Sequence, residues 1–323
     1  MAKKIIREAF LFIIFILSVG IISFILLDLS PIDPLAALAR ARGTALSTEA
    51  KEALISQWGL DRPVLTRFIA WIGSVLRGDL GISHIYKRPV LDIIMEGFSS
   101  SIGLMALAWT LQGIIGIFLG IVSGANIGSI KDRIIRTYAI VFASTPSFWI
   151  GIVLIMVFSL KLGLFPSSMG APAGLLSYEI SLFDRLRHMV LPALTLVMVG
   201  VSNLILHTRD KVEEVLSRDY VLYARARGMS KRKILLDYGL KNLILPGLSL
   251  QFTSFAELFS GTVLVENVFN YPGIGNLTVE AGLRGDGPLL LGLVLFSSIF
   301  VYLGNRIFDL ILIYIDPRLR RRK

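Results

Sequence analysis

Asp219-Tyr220-Val221-Leu222-Tyr223-Ala224-Arg225-Ala226-Arg227-Gly228-Met229-Ser230-Lys231 forms the centre of a polar, strongly basic stretch, Arg209–Lys241, set between two apolar runs. The stretch carries too many charges to lie in hydrocarbon, where each Arg or Lys costs about 3 kcal/mol at the bilayer centre. It reads as two short helices. The first spans about Asp219–Arg227 and ends at Gly228, a residue suited to the left-handed position after a helix. Ser230 suits the N-cap of a second helix carrying Ile234, Leu235 and Leu236. Downstream, Asn242-Leu243-Ile244-Leu245-Pro246 leads back into apolar sequence, with Pro246 placed where its missing N–H costs least.

Outward from this polar island the apolar residues gather in runs of roughly 20, the length a helix needs to cross a core of about 30 Å. Six such spans can be read: about Ala9–Leu27, Ser101–Gly124, Thr137–Leu160, Met189–His207, Gly247–Val268 and Leu289–Tyr314. The chain has 323 residues, 54% hydrophobic and only 17% charged, with a mean hydropathy of +0.71. These values exceed those of soluble domains, and the expected fold is an all-α membrane protein. Lys3, Lys4 and Arg7 before the first run also suit a secretory signal, but that run is longer than a cleaved signal's 7–15 residues, so an uncleaved helix is expected. The N-terminus, Gly124–Arg136, Arg209–Lys241 and the tail after Asp316 together hold twenty of the 33 Lys and Arg. That asymmetry places both termini inside. The net charge of +10 therefore reports topology and a lipid bilayer as partner, not nucleic acid. There is no cysteine, which excludes disulfides, thiolate metal sites and cysteine nucleophiles.

The expected organisation is a tail and first span over 1–28, an outer helical segment over 29–100, a core over 101–316 and a basic cytoplasmic tail over 317–323. In the outer segment Ser47-Thr48-Glu49-Ala50 opens an amphipathic helix, and Pro63 opens another over Val64–Leu76. The segment is either a docking surface or a packed structural loop. Gly116, Gly120 and Gly124, with Gly113, let a neighbouring helix approach closely, which suits ordinary packing better than a pathway. In the fifth span Gln251, Ser254, Glu257 and Gly261 share one helical stripe. A mid-span carboxylate must face a partner or water, so these four are candidates to line or gate a path, with hydrogen-bonded packing as the alternative. Asn305 and Asp309, with Arg306 between them, suggest a polar network in the sixth span. His84, His188 and His207 lack metal-ligand spacing, and no nucleotide-binding Gly-x-x-x-x-Gly-Lys motif occurs. No catalytic or metal site is expected.

The run from Tyr223 to Gly228 with the downstream Leu245-Pro246 resembles the coupling loop of ATP-binding-cassette importer permeases, with Tyr223 in place of the usual glutamate, as in the peptide branch. Gly78-Asp79-Leu80-Gly81-Ile82-Ser83 with Pro89-Val90, Glu257-x-x-Ser260-Gly261, Glu266-x-x-Phe269, Tyr271-Pro272-Gly273-Ile274-Gly275, Asn305…Asp309 and Asp316-Pro317-Arg318 resemble further motifs of that branch. The chain is similar to the oligopeptide/dipeptide/nickel permeases over nearly its whole length and looks like their B-type subunit. It departs from their usual outer-side motifs at Gly97-Phe98-Ser99-Ser100-Ser101 and at Arg284-Gly285-Asp286-Gly287-Pro288.

The resemblance implies a type I importer fold in the cell membrane. Tyr220, Tyr223, Ala224, Arg225, Ala226, Arg227, Gly228, Met229, Ser230 and Lys231 are then expected to dock an ATPase. In that docking Ala224 and Ala226 would provide close packing. Partners are expected to be a second (C-type) permease, two ATPase subunits carrying ATP and Mg, and an extracytoplasmic solute-binding protein, with no cofactor on this chain. Peptides, nickel and metal chelates all suit as solute. An ion-coupled transporter using Glu257 and Asp309 is the rival of another class, and an intramembrane protease lacks a nucleophile–base pair.

Overall fold

The computed structural model describes residues 2–42, 47–167, 170, 181–234, 236–237 and 241–315. Among these there are fourteen α-helices and one π-helical stretch, and the only bridge is an isolated antiparallel pair, Ile82 and Pro89. The chain divides into two compact units: Met1–Ser100 with Pro272–Tyr302, and Ser101–Tyr271 with Leu303–Lys323. The tail 316–323, with Asp316-Pro317-Arg318, lies outside the described residues, as does Leu235.

The first unit holds α1 (Ala2–Asp28), α2 (Pro34–Arg42), α3 (Thr48–Trp58) and α4 (Val64–Val75). It also takes the outer turns of α5 (Val90–Ala125), all of α13 (Ile274–Leu283) and the start of α14 (Gly287–Ile315). The hydroxyl of Ser47 caps α3 by accepting the Ala50 N–H at 3.2 Å, as the sequence predicts; α2 had no sequence signal strong enough to predict it. The core of the unit is Val90, Ile93, Ile94, Ile274, Ala281, Leu289 and Leu293. Beside it the fully buried Asp286 carboxylate accepts the Ser83 hydroxyl at 2.5 Å and the N–H groups of His84, Ile85 and Leu289 at 3.2, 3.0 and 3.2 Å. A buried carboxylate persists only when so satisfied. Asp286 thus ties the loop after Gly81 to the start of α14, joining two sequence motifs about 200 positions apart.

The second unit holds the rest of α5, α6 (Ile130–Ala143), α7 (Ser147–Leu154), the π-helical stretch Ile155–Lys161 and α8 (Leu182–Leu216). It continues through α9 (Asp219–Ala226), α10 (Lys231–Ile234), α11 (Lys241–Thr253) and α12 (Phe255–Val268) to the end of α14. α8 is its axis and packs against α6, α7, α11 and α12. The glycines of α5 seat it directly on α8. A Cβ on Gly116 would meet Leu204 at 2.7 Å, one on Gly120 would meet Thr208 at 2.5 Å, and one on Gly124 would meet Val212 at 2.5 Å.

Among the described residues four helices are long and apolar enough to span a membrane, and the number rises to six if each of two bent pairs is one span. The predicted third and fifth spans are therefore not single rods. α6 and α7 meet at 106° and α11 and α12 at 49°. In the first case Pro146 lacks an N–H and steers Thr145 out of helical geometry. The hydroxyls of Ser144 and Thr145 bond back to the Ile140 and Val141 carbonyls at 3.0 and 2.7 Å. In the second case the break falls at Ser254, whose hydroxyl donates to the Gln251 carbonyl at 3.0 Å. Pro246 falls inside α11 rather than in its first turn, because the helix starts at Lys241. Of the expected polar network, Arg306 and Asp309 pair at 3.7 Å, with both side chains exposed.

Candidate coupling surface and membrane cavity

At the α8–α10 end of the second unit the chain turns twice, as the sequence predicts. Ser217 ends α8, α9 follows at once, and Gly228 takes φ +82°. The Ile234 N–H closes the first turn after Ser230 by donating to its carbonyl at 3.0 Å. Along α9 the apolar side alternates with the polar one at helical spacing. Val221 and Ala224 are buried and, with Ile234, pack on Val212 and Leu216 of α8 and Ala125 of α5. Met229 is half-buried against the same cluster, and its N–H donates to the Ala224 carbonyl at 3.1 Å.

The opposite side is open. Tyr220, Leu222 and Tyr223 expose 42, 53 and 66% of their surface, and Arg225, Ala226, Arg227, Gly228 and Ser230 are also exposed. The Arg227 guanidinium stands 5.8 Å over the Tyr223 ring. One expectation is corrected: Ala224 is inside this chain and cannot offer its small side chain to another protein, whereas Ala226 can. Lys231 opens α10, and its side chain lies outside what is described.

The surface is braced by an ion pair that sequence reasoning missed. Arg209 Nε donates to Asp132 at 2.7 Å and its Nη2 to the other carboxylate oxygen at 3.2 Å. The Ser123 hydroxyl and Gly128 N–H, at 2.6 and 2.9 Å, complete the carboxylate's shell. Both side chains are nearly enclosed, so removing one partner should cost about 3–5 kcal/mol. Half of this was legible: Ser129 and Asp132 form a helix-start pattern, with Ser129 Oγ accepting the Asp132 N–H at 3.3 Å. The partner 77 positions on was not.

A second feature lies deeper in the same unit. A cavity of about 260 Å3 is bounded by Gln112 of α5, Ser147 of α7, Gly200, Asn203 and His207 of α8, Thr253 of α11, Ser254 at the break, and Glu257 and Gly261 of α12, with leucines and Val199 between. Three of the four predicted stripe residues, Ser254, Glu257 and Gly261, therefore meet at one place. Gln251 does not join them. It is buried and turned to α5, where its Nε2 donates to the Trp109 carbonyl at 2.7 Å and the Trp109 indole donates to its carbonyl at 3.1 Å. The bend at Ser254 separates it from the others. Gln112 had escaped notice as one more polar residue in an apolar run. It is 3% exposed, and its Oε1 has no hydrogen-bond partner among the described residues.

Four long apolar helices and two bent pairs, a two-helix knuckle fixed to α8 and a polar-lined cavity among the helices are the build of a membrane permease. Residues 116–321 match the family described as "Binding-protein-dependent transport system inner membrane component". The chain belongs to that family and is a permease subunit of an ATP-binding-cassette importer. It is 32% identical over 320 residues to the oligopeptide transport system permease protein AppB of Bacillus subtilis, covering 99% of each chain. It is 29% identical over 341 residues to the dipeptide transport system permease protein DppB of Escherichia coli K12, covering all of both.

Proposed function

We propose that this chain forms one half of an import path for short peptides. A second, C-type permease would supply the other half. Two ATPase subunits would hold ATP and Mg and dock on the knuckle, an extracytoplasmic solute-binding protein would deliver the peptide, and the chain itself would bind no cofactor. Peptides are the solute that the names of its full-length relatives carry.

The observation that carries this reading is the two-sided α9. Its buried side, Val221 and Ala224, is fused to α8 and α5. Its open side presents two tyrosines and two arginines, residue types that concentrate binding energy at protein interfaces. α8 runs without interruption from Asn203 and His207 at the cavity to Val212 and Leu216 under the knuckle. A movement imposed on α9 by an ATPase is therefore delivered to the cavity wall by one rigid element, because packed interiors transmit displacement rather than absorb it. The open-side arginines supply orientation, since rim charges contribute specificity more than affinity. Ser254, Glu257 and Gly261 would line the path, with Gln251 holding the break in place.

The absence of cysteine makes the test direct. In the assembled importer Tyr223→Cys should be joined to an ATPase subunit by a maleimide–diazirine photo-cross-linker attached to its thiol, and uptake of a labelled tripeptide should require ATP. Tripeptide uptake driven by a proton gradient with no ATPase subunit present would instead establish the ion-coupled rival.

A further inference from the structure

We infer that the first unit holds a membrane phospholipid, in a second cavity of about 810 Å3 at the end of α1. An acyl chain fills its apolar part, and Arg62 takes the phosphate. The inference does not depend on what the importer carries.

The cavity lies wholly within one unit. Its walls are the last turns of α1, the first turns of α14, one side of α4 and the turn after α3. One apolar span ends here and another begins, so the cavity sits at an edge of the membrane. Its lining changes character with depth. Phe24, Leu27, Leu290, Leu291 and Val294 supply apolar surface. Val294 stands about 10 Å along α14 from its start, within the roughly 15 Å of half a hydrocarbon core. The charged residues of the lining, Asp28, Asp33, Arg62 and Arg67, gather at the end of α1 and in the turns beyond the spans.

These charges leave one cation open. Arg67 donates to Asp28 at 3.0 Å, and Asp33 accepts the Leu35 N–H at 2.8 Å. His84, also in the lining, is neutral because burial holds its pKa down to about 4. The Arg62 guanidinium has no partner among the described residues. Gly59 takes φ +65°, and a Cβ there would stand 3.7 Å from Arg62 Cδ, so the arginine lies along this turn of the lining. Its fork of donors matches a phosphate. Asp33 is the remaining acid, and it suits a headgroup that pairs the phosphate with an amine, phosphoethanolamine.

α4 supplies the argument for lipid over peptide. Its twelve residues make about 18 Å, too short to cross the bilayer. None of them is buried, and Leu65 and Ile69 expose 69 and 59% of their surface. The helix is held to the end of α1 by the Arg67–Asp28 bridge and by Phe24 against Phe68 and Trp71, at 5.4 and 6.0 Å between rings. An apolar helix so exposed beside the end of a span belongs in the interface, among lipids. Leu26 and Ala70 both line the cavity and are exposed, so a chain can enter from that side. A peptide would bring backbone donors and acceptors against Leu290, Leu291 and Val294, whose side chains offer no partner. An acyl chain brings none. The volume lies within the roughly 300–1,000 Å3 of cavities that hold a single small ligand.

The test places the assembled importer in phosphatidylethanolamine nanodiscs that include a phosphatidylethanolamine bearing a diazirine on one acyl chain. Illumination should attach lipid to residues 290–294, as well as to Ile21 and Ile22, which are exposed on α1 and report ordinary bilayer contact. Val294→Phe, which fills the cavity, and Ala70→Trp, which blocks its open side, should each cut labelling at 290–294 at least about fivefold and leave labelling of Ile21 and Ile22 unchanged. Arg62→Glu should do the same by repelling the phosphate. Both A70W and R62E alter exposed positions, so they test the site even if V294F fails to fold. Absence of lipid on 290–294 in the unaltered importer would overturn the proposal, as would labelling there that persists in both A70W and V294F. Full labelling in R62E would overturn the place given to the phosphate. A diazirine-bearing tripeptide that labels 290–294 and displaces the lipid would show a peptide site instead.

Discussion

Gly228 holds φ +82° with open space where a Cβ would stand. A side chain there pays only the backbone strain of the left-handed region, about 1 kcal/mol, while it projects into the surface the ATPase must approach. Gly228→Trp should therefore insert and fold, retain ATPase subunits poorly and lose most ATP-driven uptake. Ala224, four residues earlier and 3% exposed, is the contrast: a tryptophan there has no room and should unseat the knuckle itself. Wild-type uptake by G228W would remove the docking role. His84 offers a second residue-scale test, outside the membrane. Its ring stacks on Trp58 at 3.8 Å and its Nδ1 is buried without a partner among the described residues. Burial is the main cause that holds its pKa down, to about 4 from 6.5, with Asp286 opposing and Lys87 assisting. An unfolded chain takes up this proton near the ordinary value and the folded one only near 4. The contribution is therefore fully present above pH 6.5 and is lost as pH falls toward 4. His84→Phe keeps the stack and cannot titrate, so its melting temperature should fall less than that of the unaltered chain across this window. Parallel curves would show that His84 does not set the dependence.

At the scale of elements, the α5–α8 seam and the two broken spans divide the labour. The seam is rigid because glycine lets backbone meet side chain: a Cβ on Gly120 would stand 2.5 Å from Thr208 and 3.0 Å from the Ile205 carbonyl. Gly120→Leu should destabilise the chain by at least about 2 kcal/mol through overpacking, read as a lower melting temperature of the purified complex. Gly261→Ala adds the same first atom at 3.6 Å from Leu196, an ordinary contact. It should leave the melting temperature within a degree or two while narrowing the cavity and slowing uptake of bulky tripeptides more than of tri-alanine. If G120L melted like G261A, the glycines would not be the seam. The breaks sit where the flexible chemistry is. Ser144, Thr145, Thr253 and Ser254 satisfy carbonyls at each bend with their own hydroxyls, so irregular backbone is tolerated inside the membrane only beside such groups.

Across the whole molecule, what the sequence disclosed depended on whether the determining interaction was local. The four unbroken spans, the capped helix at Ser47, the turn at Gly228 and the two-helix knuckle each follow from periodicity or from one residue's backbone preference, and each stands in the structure. The bends at Pro146 and Ser254 were hidden because hydropathy averages over them. The Arg209–Asp132 pair, the turning of Gln251 away from the cavity and the burial of Ala224 depend on partners far along the chain, which periodicity cannot name. Asp286 belongs to the same class, and it leads to a test of the two-unit organisation. Each unit has its own buried cluster, one around Ile94 and Leu289, the other around Val212 and Val221. Asp286→Ala leaves the Ser83 hydroxyl and the His84, Ile85 and Leu289 N–H groups without their acceptor, a loss of a few kcal/mol for a buried network. Cooperative opening follows such units rather than the chain as a whole. Hydrogen exchange in D286A should therefore quicken over residues 81–95 and 286–293 by at least about tenfold, while α6, α8 and α9 keep their protection and ATPase subunits still bind. Equal quickening over α8 and α9 would mean that the two clusters do not open separately.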